Sequence, residues 1–214
     1  MPSIIETIVY RLDELDETAK EEARAWYRRA ASDFDWHEFV FADFERICEI
    51  VGVALRTHPV RLMDGRTRSD PRIYFSGFSS QGDGACFEGS YTYGRDARAG
   101  IRAHAPRDKA LHAIVDRLND VQRRNFYQLS ATVRQTGRYV HEYSMMIVVK
   151  RDSPTWRAAS GDDEDIVIEA LRDLARWLYR QLEVEHDFRS AQPQVDEAIR
   201  ANGFTFTETG RRFG

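Results

Sequence analysis

Two pairs of short extended segments, each closed by a turn, constrain this chain more than any other feature. Residues 73–78 and 85–93 flank Ser79-Ser80-Gln81-Gly82-Asp83-Gly84, a run of small and turn-forming residues. Residues 127–134 alternate apolar with polar, Thr136-Gly137 turns the chain, and 139–150 is again strand-like. Consecutive strands joined by tight turns pair antiparallel, and an antiparallel sheet commonly buries one face.

Helical periodicity fills the intervals. Asp16 is placed to cap a helix over 16–31, in which Ala19, Ala23, Trp26, Tyr27 and Ala30 recur at helical spacing. A second helix over 35–51 carries Phe39, Val40, Phe44, Ile47, Cys48 and Val51 on one face and ends at Gly52. Pro106 opens a helix over 106–124. A longer one runs over 163–184 on the stripe Val167, Leu171, Leu174, Leu178 and Leu182. Pro193 opens a last helix that stops near Asn202-Gly203. Residues 4–10 and 204–206 read as terminal strands with a loose tail behind them, and 56–72 as a loop with a short strand near Val60. The order β-α-α-β-β-α-β-β-α-α-β predicts an α+β fold. It predicts one domain over 1–214, with a helical N-terminal part at 16–51 and a sheet-and-helix core at 73–206. The two hairpins build an antiparallel sheet of four or five strands, with amphipathic helices mainly on one face.

The apolar fraction of 42% suits a globular core. The longest strictly apolar run, residues 145–149, is far below the roughly 20 residues that span a bilayer. No basic start precedes an apolar stretch at the N-terminus, so a cytoplasmic protein without a signal peptide is expected. Charge is segregated along the chain. Residues 1–50 hold 6 Lys/Arg against 13 Asp/Glu, 51–138 hold 15 against 8, and 139–214 hold 10 against 14. Acidic residues gather at two helix starts: Asp13, Glu17 and Glu21, then Asp162, Asp163 and Glu164. Acids are favoured at helix N-termini; a surface that imitates a phosphate array is the functional alternative. The arginines of 56–72, Arg66 and Arg68 among them, suggest phosphate contacts. An overall pI near 5.9 and the lack of a nucleic-acid-binding motif argue against direct nucleic-acid binding. Trp26 and Trp177 are candidate interface anchors. The six histidines are scattered without metal-ligand spacing, and neither a metal nor a cofactor is expected.

The residues 76–89, Ser-Gly-Phe-Ser-Ser-Gln-Gly-Asp-Gly-Ala-Cys-Phe-Glu-Gly, resemble a group of small phage and prophage proteins. Some of these carry the label "antitoxin of toxin–antitoxin stability system". Matching pieces occur in the same order at 15–27, 137–145, 172–185 and 202–206, so the resemblance covers most of the chain. It implies a mobile-element origin. The expected activity is stoichiometric binding to a host protein, a defence-system component or a toxin, with Ser80, Gln81 and Asp83 of the motif in the contact set. A membrane role is not expected, and an exposed sheet edge would permit a homodimer. Asp83-Gly84-Ala85-Cys86 also resembles the Asp-Gly-Xaa-Cys signature of ovarian-tumour cysteine peptidases. That resemblance implies an alternative cysteine hydrolase, with Cys86 as nucleophile, His141 as base and Asp83 beside them. In those enzymes the cysteine opens a helix, whereas residues 87–93 here read as a strand.

Overall fold

The computed structural model describes residues 6–31, 35–154 and 158–214. Its helices are α1 (Glu17–Ala31), α2 (Glu38–Val51), α3 (Ala97–His104), α4 (Lys109–Arg124), α5 (Gly161–Ser190) and α6 (Gln192–Ala201). Its strands are β1 (Val53–Leu55), β2 (Thr57–Arg61), β3 (Thr67–Pro71), β4 (Ile73–Phe75), β5 (Ala85–Phe87), β6 (Gly89–Thr92), β7 (Leu129–Gln135), β8 (Met145–Arg151), β9 (Thr205–Phe206) and β10 (Arg212–Phe213). Every strand pair is antiparallel, so the fold is α+β. None of the described helices is long and apolar enough to cross a membrane. The chain divides into two compact units, residues 39–182 and residues 1–38 with 183–214.

The larger unit holds a four-stranded sheet in the order β1-β6-β7-β8. Alternation sends Val53, Tyr91, Ala131, Val133 and Met145 into the core, while Ala54, Ser90, Thr132 and Val148 line the open face. The stripes Leu111-Ile114-Val115-Leu118-Val121 of α4 and Val167-Leu171-Leu174-Leu178-Leu182 of α5 are buried. Gly52 ends α2 at φ +94°, a conformation that L side chains rarely adopt.

Three ribbons meet at one vertex. β1 runs into β2, β3 into β4 and β5 into β6, each pair broken by one residue: Arg56, Arg72 and Glu88. The Arg56 N–H donates to the Glu88 carbonyl (2.8 Å), the Glu88 N–H to that of Arg72 (2.9 Å), and the Arg72 N–H to that of Arg56 (2.7 Å). The triangle closes on itself, so no backbone group is lost where the strands part. The Glu88 side chain lies between the two guanidiniums, with Arg56 Nη1 at 3.2 Å and Arg72 Nη1 at 3.3 Å. From this vertex β1–β6 leads into the sheet, β2–β3 forms one hairpin and β4–β5 another.

The smaller unit packs α1 against α6 over Leu12, Leu15, Ala19, Ala23, Val195, Ile199 and Phe206. Asp16 caps α1, its carboxylate accepting the Ala19 N–H at 2.8 Å. Pro193 sits in the first turn of α6.

Several expectations are corrected. Residues 56–72 form the β2–β3 hairpin rather than a loop; the Asp64 carboxylate accepts the Arg66 N–H (2.9 Å) and shapes its turn. The helix expected from Pro106 begins at Lys109, capped by Asp108, and α3 precedes it. The strand expected over 139–150 begins only at Met145, because His141 caps a 3₁₀ turn over Glu142–Ser144. The tail returns as β10 against β9. Of the strand expected over 4–10, Ile4 and Ile5 lie outside the described residues. Residues 6–9 have no strand partner, and only Tyr10 bridges to Phe206. Residues 32–34 of the break after α1 also lie outside the described residues.

Candidate functional site

The β4–β5 hairpin projects the motif loop, residues 76–84, from the vertex. One carboxylate organises the loop. Asp83 Oδ2 accepts the backbone N–H groups of Ser80 (2.7 Å) and Ser79 (3.0 Å), and the Asp83 N–H donates to the Ser80 carbonyl (3.0 Å). These donors, Ser80 first and Ser79 next, hold the Asp83 carboxyl below the usual carboxylate range. At the base, the Ser76 N–H donates to the Gly84 carbonyl (3.0 Å) and the Gly84 N–H to Ser76 Oγ (3.2 Å).

The loop is buttressed by two other segments. Ser76 Oγ donates to the Val140 carbonyl at 3.3 Å. Gly84 packs so closely on residues 140–141 that a Cβ there would lie 2.5 Å from that of His141, so only glycine fits. From α5, Tyr179 Oη donates to the Gly77 carbonyl (2.9 Å), and its ring stacks on Phe78 at 5.4 Å between centroids.

Beside the loop, Tyr139, His141 and Tyr143 form a row with 6.2 Å between successive rings. His141 Nδ1 accepts the Tyr143 N–H (3.1 Å), which leaves the proton of a neutral ring on Nε2. The Arg138 guanidinium lies 4.9 Å from the Tyr139 ring centre. Those of Arg172 and Arg176 lie 5.2 and 5.4 Å from that of Tyr143. Arg176 is fixed by Glu142 (3.0 Å), the Tyr143 hydroxyl (3.1 Å) and Asp173. Arg172 donates to Glu169 at 2.7 Å, which with Arg176 lowers the pKa of that carboxyl. Tyr139 and Tyr143 nevertheless stay 52% and 62% exposed. The result is a surface of rings and guanidiniums with its side chains already oriented.

The sequence-derived candidates fall into three places. Ser80, Gln81 and Asp83 lie on the loop just described, Ser80 and Gln81 exposed at its tip. Cys86 and His141 come into one neighbourhood, since Gly84, two residues before the cysteine, packs directly on His141. The thiol itself is 0% exposed, and burial pushes its pKa up to about 11. Cys86 sits on strand β5, without the helix start that would help ionise it. Asp83 Oδ2 is committed to the loop amides.

Four of the six acidic candidates are paired internally. Asp13 takes both Nε and Nη2 of Arg200 (3.0 and 2.7 Å), which lowers its pKa. Glu17 meets Lys20 at 2.9 Å, and Glu21 meets Arg24 at 2.6 Å. Asp163 accepts from Asn125 (2.8 Å) and Arg124 (2.7 Å), which depress its pKa. Asp162 is exposed and Glu164 half-buried in the first turn of α5. Neither tryptophan stands out as an anchor. Trp26 packs edge-on against Phe204 (5.2 Å) and Phe206 (5.8 Å), and Trp177 is buried with its Nε1 donating to Asp108 Oδ2 (2.7 Å). Arg66 and Arg68 are paired with Asp64 and Asp70. Among the described residues no group of three His, Cys, Asp or Glu side chains could hold a metal ion.

Arg138, Tyr139, Tyr143 and Arg172 are the residues that sequence reasoning did not single out, whereas Arg176 drew attention only as the neighbour of Trp177. They fall within the recurring pieces 137–145 and 172–185, so the signal was the pieces themselves, which the fold gathers around the loop.

No curated protein and no solved structure matches the chain. A family model described as a domain of unknown function, DUF8835, matches residues 36–192, which include the motif loop, the aromatic row and all of α5. By that match, which covers well over half its length, the chain belongs to the DUF8835 family.

Proposed function

We propose that this protein is a non-catalytic binder of phage or prophage origin. In this reading it acts in the host cytoplasm and neutralises a host protein by stoichiometric binding, as an anti-defence inhibitor or an antitoxin. The observation that carries the reading is the exposed Tyr139–Tyr143 row with Arg138, Arg172 and Arg176 against its rings, beside the braced motif loop. Tyrosine and arginine are the side chains that most often dominate protein interfaces, and side chains ordered beforehand lose less entropy on binding. The resemblance of residues 76–89 supplies the class of partner. The cysteine hydrolase fits less well, because a buried thiol with a raised pKa is a poor nucleophile. Direct nucleic-acid binding is weakened by the carboxylates already paired with Arg66 and Arg68.

The test is an affinity pull-down from host lysate with the wild-type chain and with a Tyr139→Ala/Tyr143→Ala double variant. The expected result is one protein retained in stoichiometric amount by the wild type and lost with the variant. Retention that ignores both tyrosines overturns the assignment of the surface. A biological effect that survives their loss but disappears in Cys86→Ala shifts the reading to the enzyme.

A further inference from the structure

The four-stranded sheet ends at β8, and among the described residues no strand lies beyond it. The phase of its ladder is set at both ends. The Thr136 N–H donates to the Ser144 carbonyl and the Asp152 N–H to the Gln128 carbonyl, each at 2.9 Å. In the register that pairs Thr132 with Val148, Met146, Val148 and Lys150 therefore turn their backbone groups toward β7. Ile147 and Val149 turn theirs to the outer edge. The side chains of Met146 and Val148 stand on the open face, 49% and 44% exposed.

Edge strands invite pairing, and proteins usually guard them with proline, charge or shortness. The other edges here follow that rule. β2 carries Pro59 and Arg61, β3 carries Arg68 and Pro71, and β1 has three residues. The first five of the seven residues of β8, Met145-Met146-Ile147-Val148-Val149, hold neither a charge nor a proline, and its two cations, Lys150 and Arg151, come last.

We propose that β8 pairs antiparallel with β8 of a second copy about a two-fold axis at Val148, joining two sheets into one of eight strands. The chemistry of the edge selects a second copy as the occupant. About that axis Ile147 of one copy faces Val149 of the other, twice. Both residues direct N–H and C=O outward, so each pair exchanges two hydrogen bonds. Val148 meets its own mate as a close, non-hydrogen-bonded pair, and Met146 lies opposite Lys150. The basic ends fall at opposite ends of the ribbon, where a parallel pairing would align them. This interface lies on an edge that the proposed partner surface does not use, so either proposal can fail alone.

The test combines mass and cross-linking. In light scattering the wild type is expected at twice 24.8 kDa, falling toward 24.8 kDa on dilution. Val149→Pro removes an outward donor and no bond to β7, so the variant is expected to keep its circular dichroism and run as a monomer. Val148→Lys sets two ammonium groups face to face across the axis and is expected to do the same. Val148→Cys is expected to form a disulfide-linked dimer under copper-phenanthroline oxidation, its Cα atoms about 4.5 Å apart. Met146→Cys, about 13 Å from its mate at roughly 3.3 Å per residue, is expected not to. A wild type that stays at 24.8 kDa overturns the proposal. So does a dimer indifferent to both Val149→Pro and Val148→Lys, or a cross-link at 146 and not at 148.

Discussion

The two compact units hold themselves together by different means. In the larger, four helices and the sheet supply a core of large apolar side chains, Phe44, Phe87, Tyr91, Leu171 and Leu174 among them. Its most buried polar side chain is neutral, and its buried carboxylate, Glu88, is held at the vertex by Arg56 and Arg72. Gln122 donates to the Leu129 carbonyl (2.7 Å) and the Tyr91 hydroxyl (3.3 Å) and accepts the Leu129 N–H (3.1 Å). The smaller unit buries a shorter cluster that includes Ala19 and Ala23, with Tyr10, Trp26, Tyr27 and Phe204 partly buried against it. There the buried polar feature is an ion pair, Arg24 to Asp196 through both oxygens at 2.7 and 2.8 Å. A large core selects its packing by shape. In the smaller one a forked ion pair adds a directional constraint that admits one register of α1 against α6. Burying two charges costs solvation, so the gain lies in register more than in stability.

The largest expected effect breaks the larger unit. Phe44→Ala removes a ring between Phe87 (5.5 Å) and Trp177 (6.5 Å) and should cost about 3–5 kcal/mol, read as a lower urea midpoint. Next, Asp196→Ala strands the Arg24 guanidinium and should cost about 3 kcal/mol, somewhat less where Glu21 compensates. That corresponds to a roughly hundredfold rise in amide exchange in α1 and α6. An Arg24→Met/Asp196→Leu double variant should recover most of it, with a less uniquely packed unit by NMR line widths. If exchange in β6 and β7 rises equally with Asp196→Ala, the two units unfold together and the comparison fails. The smallest effect is confined to the motif loop. The folded-state pKa of Asp83 lies below its unfolded value, so its contribution is complete above the ordinary carboxylate range. It is lost as pH falls through about 4 toward the lower folded value. Protection of the Ser79 and Ser80 amides should follow that course in the wild type and be low at every pH in Asp83→Asn.

What could be read in the sequence was local. The stripe Val167 to Leu182 is buried as its spacing predicts, because helical periodicity needs no distant partner. The polar β2–β3 hairpin carries no apolar alternation, and α3 has one buried side chain, Ile101, so neither leaves a pattern to read. The vertex at Arg56, Arg72 and Glu88 rests on pairing between residues up to 32 apart, which no window along the chain contains. At the site, Ser80, Gln81 and Asp83 were legible because glycine and serine mark a turn. Whether an aromatic ring faces inward or outward is decided by tertiary packing. That is why Trp26 and Trp177 attracted notice while Tyr139 and Tyr143 did not.

The closed triangle of hydrogen bonds at the vertex has an evolutionary consequence. Because the three strand breaks satisfy one another, each hairpin grows outward from a foundation that owes nothing to its tip. The exposed turn at Asp64-Gly65 can lengthen, shorten or exchange residues without disturbing the loop at 76–84, which is held instead by Val140, His141 and Tyr179. Change at one tip leaves the footing of the other hairpin in place.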